Sequence, residues 1–306
     1  MTATNLLNDL STSMISAPDA LKTVQIAKQN NIKLHFIDAS WYLPNQSLKR
    51  DARAEFLEQH IEGAHFFDID LFCDLDNPIP HALPDAKTFS DLVTPMGIGK
   101  HDAIIFYEKE PIFSAPRAWF MFKLFGHQNL KILDGGLNAW IQEEGALSHH
   151  ITSILPKTQA PYQAKMNADM LCNMAQLQHI IAKDKSHKDT PLIYDARSQG
   201  RFDGTQNEPR KGLLSGHMPN AINVPVNQLY DDQRRLHDKN KLKRLFFDDT
   251  ALDKKQSAIC TCGSGITACS LFLALSELKI KHIRLYDGSW SEWASTEDNP
   301  IIRQQI

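Results

Sequence analysis

The chain has 306 residues, 42% of them hydrophobic and 23% charged, a globular composition at a length that suits two domains with a core each. Its formal net charge of −3 provides no basic footprint for nucleic acid or an anionic membrane surface. No apolar run approaches the roughly 18 residues of a spanning helix, and the first basic residue is Lys22, with Asp9 before it, so neither a secretory signal nor a transit peptide is expected.

Taken in chain order, the first predicted strand is "HFIDAS" (35 to 40), a short apolar run ending in Asp and a small residue, as at the C-terminal end of a buried strand. "QHIEGAHFFDI" (59 to 69) follows, and then "AIIFYEKEPIFSAPRAWFMF" (103 to 122), which reads strand, loop, helix, with helical periodicity over "PRAWFMFKLFG" (116 to 126). "KILDGGLNAW" (131 to 140) completes the half. The stretch 148–165, with two prolines and little periodicity, is predicted to be a linker. The same signals then return as "LIYDAR" (192 to 197), "SGHMPNAINVP" (215 to 225), "SAICTCGSGITACSLFLA" (257 to 274) with a helix over 267 to 279, and "IRLYDGSWSEW" (283 to 293). His60 follows Asp38 by 22 residues and His217 follows Asp195 by the same 22; Trp140 and Trp293 each follow an Asp by six. Equal spacings in the same order imply a duplication, with copies over 1–147 and 166–306. Each copy reads strand, short helix, strand, strand, helix, strand, an α/β pattern of mainly parallel sheets flanked by helices. His60 and His217 are expected to be structural.

The duplication provides an internal control. Cys262 sits in the strand-to-helix loop of the second copy and has no cysteine counterpart in the first. Gly263 and Gly265 let the "CGSGITA" chain turn tightly with its N–H groups inward, and Thr267 is expected to cap the following helix. Such a nest attracts an anion, here a thiolate, and thiols so placed drop from about 8.5 to roughly 3.5–7.5. Cys262 is therefore read as a nucleophile rather than a small packed residue, while Cys260 and Cys269 are assigned to packing. The five cysteines, including Cys73 and Cys172, are odd in number and scattered, which fits free thiols in a reducing cytoplasm.

Other chemistries fail on spacing. C-x-C without a nearby histidine is no zinc site. A cysteine phosphatase needs an arginine six residues beyond its nucleophile, where Ala268 stands. "GIGKH" (97 to 101) lacks both the early glycine and the final Ser/Thr of a P-loop, "DIDLFCDLD" (68 to 76) has Phe72 and Cys73 where a calcium loop needs an acid and a glycine, and Cys262 replaces the first glycine of a G-x-S-x-G elbow.

With these features, and with "DASWYLP" (38 to 44), "FFDID" (66 to 70), "SAPRAW" (114 to 119), "RFDGTQNEPR" (201 to 210) and "GHMPNAINVP" (216 to 225), the chain resembles the two-domain rhodanese superfamily over nearly its whole length, most closely its mercaptopyruvate-using branch. The resemblance implies two tandem rhodanese-like domains, 1–147 without a catalytic cysteine and 166–306 with it. It implies sulfur transfer through a Cys262 persulfide, from 3-mercaptopyruvate to a thiol such as thioredoxin or to cyanide, with release of pyruvate and with no metal or organic cofactor. Arg201 and Arg210 fall on the family's substrate-binding positions, joined by Gly263, Gly265, Ile266 and Thr267 of the loop. Ser264, His81 and Asp70 match a proton relay, with His81 and Asp70 contributed by the N-terminal domain. Relatives that prefer thiosulfate look like "CRKGVTA"; the neutral Gly263 and Ser264 favour mercaptopyruvate, with thiosulfate a weaker donor. A thiosulfate:cyanide sulfurtransferase and a non-catalytic persulfide carrier are the alternatives.

Overall fold

A computed structural model describes residue 7 and residues 11–43, 50–109, 114–150, 160–183, 190–248 and 257–304. The chain divides into two compact units: Met1–Asp74 with Leu83–Asn167 and Asp232–Arg235, and Ala168–Asp231 with Leu236–Ile306 and the excursion Leu75–Ala82. His81, in the N-terminal half by sequence, thus belongs to the second unit, which corrects the expectation that both His81 and Asp70 come from the first.

The first unit runs β1 (Met14–Ile15), α1 (Ala17–Gln29), β2 (Leu34–Asp38), α2 (Ala52–Glu58), β3 (His60–Ile61), β4 (His65–Phe66), α3 (Ala86–Val93), β5 (Ala103–Tyr107), α4 (Ala115–Leu124), β6 (Leu130–Leu133), α5 (Gly136–Gln142) and β7 (Leu147–Ser148). Five of these strands form an all-parallel sheet in the order β1-β6-β5-β2-β4. The central β5, "AIIFY", is buried at every position, as a strand covered on both faces requires. Helix α1 starts where Ser16 accepts the Asp19 N–H and Pro18 takes an early position that needs no N–H donor.

The second unit runs α6 (Met174–Ala182), β8 (Leu192–Asp195), α7 (Gln199–Asp203), β9 (Ala221–Asn223), α8 (Lys239–Lys243), β10 (Ala258–Thr261), α9 (Ala268–Glu277), β11 (Ile283–Leu285) and α10 (Ser289–Trp293). Its parallel sheet has the order β11-β10-β8-β9, and a parallel bridge from Leu171 to Leu285 stands where β1 pairs with β6 in the first unit. The antiparallel pairing of His60 with Ser148 is likewise matched by His217 with Ile302. The duplication read from spacing is a duplication of fold.

The repeated residues have physical reasons. His60 stacks on Phe56 at 4.2 Å and bonds its carbonyl at 2.6 Å, and His217 stacks on Phe202 at 4.0 Å and bonds its carbonyl at 2.9 Å. Trp140 and Trp293 are core residues whose indole N–H groups find the carbonyls of Ala146 (3.1 Å) and Pro300 (3.0 Å). Truncating such a residue costs about 3–5 kcal/mol. Of the expected linker, residues 151–159 lie outside the described residues; Tyr162 is buried beside His127, and the N–H groups of Lys165 and Asn167 bond to Phe125 and Leu124 of the first unit. No helix among the described residues is long and apolar enough to cross a membrane.

Candidate active site

β10 ends at Thr261, and Cys262 begins the loop to α9 with only 2% of its surface exposed. The loop is held from outside by the start of α10. The Cys262 N–H donates to Ser289 Oγ (3.2 Å) and its carbonyl accepts from Trp290 N (2.9 Å); the Gly263 carbonyl accepts from Ser291 N (3.0 Å) and Ser291 Oγ (2.7 Å). Ser289 holds a left-handed φ of +53°, unusual for a side-chain-bearing residue, and its hydroxyl also donates to the Tyr286 carbonyl at 3.0 Å. The "DGSW" signature was legible as a repeat; that its serines clamp the cysteine loop was not.

Gly265 takes φ +81° and turns the chain into α9. The N–H groups of Gly263, Ser264, Ile266 and Thr267 meet no acceptor among the described residues, leaving donors to an anion at this turn. Thr267 occupies the N-cap position, but its side chain makes no capping bond, contrary to expectation. The reason is conformational: its φ of −71° and ψ of −18° are already helical, and Cys269 N and Ser270 N bond back three residues, so a tight turn takes the place of the cap.

Cys260 and Cys269, assigned to packing from the sequence, are both completely buried. Cys260 is fully buried on β10, and burial pushes its thiol well up; burial also raises Cys73 and Cys172. Cys269 is buried on α9 and donates its Sγ–H to the Gly265 carbonyl at 3.2 Å, bracing the turn. No group of three His, Cys, Asp or Glu residues suited to a metal occurs among the described residues.

Beside the loop lies a chain of charges. Arg201 on α7 grips Glu208 through Nε (3.2 Å to both carboxylate oxygens) and Nη2 (2.6 Å). The same carboxylate receives Nη1 of Arg197 at 2.8 Å. Arg197 is fully buried, with Nε and Nη2 on Asp195 at 2.7 to 3.1 Å, Nη2 also on the Gly216 carbonyl, and its guanidinium over the Trp290 ring at 4.2 Å. Two arginines and two carboxylates neutralise one another, which is what permits charges at such depth. Arg201 Nη2 comes so near the loop that a Cβ on Gly263 would lie 2.8 Å from it. Arg210 is half-buried on the segment between α7 and β9. Neither Glu208 nor Arg197 was singled out from the sequence; the alternation of opposite charges through "DAR" and "RFDGTQNEPR" was the available signal.

Ser264 is 6% exposed, and His81 reaches it with Nδ1 3.0 Å from Ser264 Oγ, in a backbone with φ +60°. Two members of the expected relay are thus joined within the second unit. Asp70 lies in the first unit, where its Oδ1 accepts the Trp41 indole N–H at 3.0 Å. Ile266 is buried in the loop at 3% exposure.

A duplicated α/β unit whose second copy presents a cysteine in a glycine turn is a sulfur-handling architecture, and the rhodanese-like domain model matches residues 25–143 and 175–296. The chain belongs to the rhodanese family. It is 36% identical to the 3-mercaptopyruvate sulfurtransferase of Mus musculus over 273 residues, covering 87% of each chain. It is also 36% identical to thiosulfate/3-mercaptopyruvate sulfurtransferase 1, mitochondrial, of Arabidopsis thaliana over 312 residues, covering 95% of this chain and 80% of that one. Among solved structures it is similar to the Tum1 protein of Saccharomyces cerevisiae, with a TM-score of 0.85 and 28% identity over 97% of this chain and 99% of that one.

Proposed function

We propose that this chain transfers sulfur from 3-mercaptopyruvate through a persulfide on Cys262. It divides, in this reading, into an N-terminal copy over 1–147, a linker over 148–165 and a catalytic copy over 166–306. The observation that carries the proposal is the Arg201 fork held against Gly263, one residue from Cys262, in a loop with no cationic side chain of its own. An arginine fork suits a carboxylate, and the relatives' names support a mercaptopyruvate donor. Arg210 joins Arg201 in binding the substrate's carboxylate and keto oxygens.

The Cys262 thiolate attacks the donor sulfur; an S–S bond forms, the C–S bond breaks, and the electron pair passes to carbon as the enolate of pyruvate. Ser264 and His81, 3.0 Å apart, support a proton path to the developing enolate, with Asp70 as the relay's third member by resemblance. The loop N–H groups of Gly263, Ser264, Ile266 and Thr267 stabilise anionic sulfur, and Gly265 makes the turn that aims them at the substrate. The persulfide then passes its outer sulfur to a thiol such as that of thioredoxin, or to cyanide, dividing one transfer into two easier steps without a metal or organic cofactor. Five free cysteines support a reducing compartment such as the cytoplasm.

Intact mass measurement after incubation with each donor, followed by peptide mapping, tests the reading. One added sulfur on the Cys262 peptide and a higher kcat/KM with mercaptopyruvate than with thiosulfate are expected. The reverse preference would make it a thiosulfate sulfurtransferase, and loading without turnover would make it a carrier.

A further inference from the structure

The charge chain beside the loop is more specific than neutralisation requires. Arg201 has three guanidinium nitrogens, of which Nε and Nη2 are engaged by Glu208, while Nη1 has no protein acceptor among the described residues. Glu208 cannot follow Arg201 if the latter moves, because its Oε1 is also held by Nη1 of Arg197, and Arg197 is in turn fixed to Asp195, to the Gly216 carbonyl and against Trp290. The Glu208 side chain is 2% exposed and the Arg201 side chain 20%, so the network runs from a buried anchor to a partly open donor.

Resting on the mercaptopyruvate reading, we propose that Glu208 is the positioning residue for Arg201: it occupies Nε and Nη2 and so fixes the outer edge of the guanidinium, with Nη2 2.8 Å and Nη1 4.0 Å from where a Cβ on Gly263 would lie, leaving the Nη1 donors to the substrate carboxylate. Glu208 thereby sets donor preference. An arginine free at its tip would swing aside cheaply for a side chain at position 263. One anchored by Glu208 does not, so the space over Gly263 stays matched to a carboxylate donor lying under a fixed guanidinium. The rotamer entropy of a long arginine is lost in the folded protein, before substrate arrives.

The test is a double-mutant cycle of Arg201→Ala and Glu208→Gln in the full chain, with steady-state kinetics for mercaptopyruvate and thiosulfate. Glu208→Asp serves as the variant that keeps Arg197 and Arg201 neutralised while shortening the reach, in case Glu208→Gln destabilises the buried Arg197. Both Glu208 variants are expected to raise KM for mercaptopyruvate at least tenfold with kcat changed less than threefold, and to shift the ratio of mercaptopyruvate to thiosulfate kcat/KM toward thiosulfate. In the Arg201→Ala background Glu208→Gln should add less than a twofold further loss. Additive losses, equal losses with both donors, or an unchanged KM in a folded Glu208→Asp protein that still loads sulfur would overturn the proposal alone. A wild-type chain that takes no sulfur from mercaptopyruvate would overturn the underlying reading, and this proposal with it.

Discussion

The two copies meet the same structural problem at the end of their central strand and solve it differently. Asp38 pairs in register with Tyr107 and Asp195 with Thr261, so Glu108 stands in the first copy where Cys262 stands in the second. The surroundings agree in detail: the Glu108 carbonyl accepts Leu137 N at 3.0 Å as the Cys262 carbonyl accepts Trp290 N at 2.9 Å, and the residue before each donor is left-handed, Gly136 at φ +57° and Ser289 at +53°. In the first copy the Glu108 carboxylate turns onto the start of α4, taking the N–H groups of Ser114 and Ala115 and the Ser114 hydroxyl. In the second the N–H groups of Ile266 and Thr267 at the corresponding turn meet no acceptor among the described residues. The same backbone donors are met in the first copy by a carboxyl group of the chain itself and, on the proposed reading, by the sulfur of Cys262 in the second. The Asp pair shows the same divergence. Asp38 and Asp195 each accept the N–H two residues on at 2.9 Å, but only Asp195 has an arginine there, and burial raises Asp38, where Ser40 is the counterpart.

The largest effect should come from moving the chemistry between copies. Cys262→Ser is expected to abolish sulfur loading, by at least about a thousandfold in kcat/KM, with Tm nearly unchanged. Adding Glu108→Cys to it should restore nothing, because the first copy has no Arg201–Glu208 fork; single-turnover loading measured by mass would break the comparison if sulfur appeared at position 108. A smaller effect is expected at Ser289. Ser289→Gly keeps the left-handed backbone and loses the hydroxyl that holds Cys262 N, lowering kcat/KM about fivefold, while Ser289→Ala loses the same hydroxyl but keeps the Cβ strain that glycine relieves, and unfolds more easily than Ser289→Gly by about 1 kcal/mol. If the two variants have the same stability, the left-handed turn is not strained.

The smallest effect concerns the built-in carboxylate. Burial pushes Glu108 up to about 8 from an ordinary 4.5, outweighing the N–H bonds that favour its ionised form. With the folded value raised, the unfolded chain releases its proton first, so this group's contribution is complete below 4.5 and is lost as pH rises through 8. Glu108→Gln mimics the protonated form. Its Tm relative to wild type should therefore climb by a few degrees between pH 5 and pH 8, and a constant difference across that range would sever the link between ionisation and stability.

How far this was readable beforehand depended on the range of each interaction. The parallel sheets, the duplication and the singular Cys262 were carried by local periodicity and by spacing, which a linear chain displays directly. The two-residue strands β1 and β7 were not predicted, since alternation needs more residues than they have. Glu208 was quoted within a motif but not weighed, because its significance is that two arginines from different turns converge on it in space. Thr267 had the right residue type for a cap, and the helical dihedrals of the preceding turn removed the need for one. The excursion of Leu75–Ala82 into the second unit, which brings His81 to Ser264, has no signature in composition or spacing.

The clamp on the cysteine loop grips only main-chain atoms: the N–H and carbonyl of Cys262 and the carbonyl of Gly263. Such a hold is blind to what the side chain bears. On the proposed reading, a sulfur gained on Cys262 and later surrendered would change none of the bonds from Ser289, Trp290 and Ser291, so the scaffold would be as ready for discharge as for loading and no step of a repeating cycle would have to wait for it to reset.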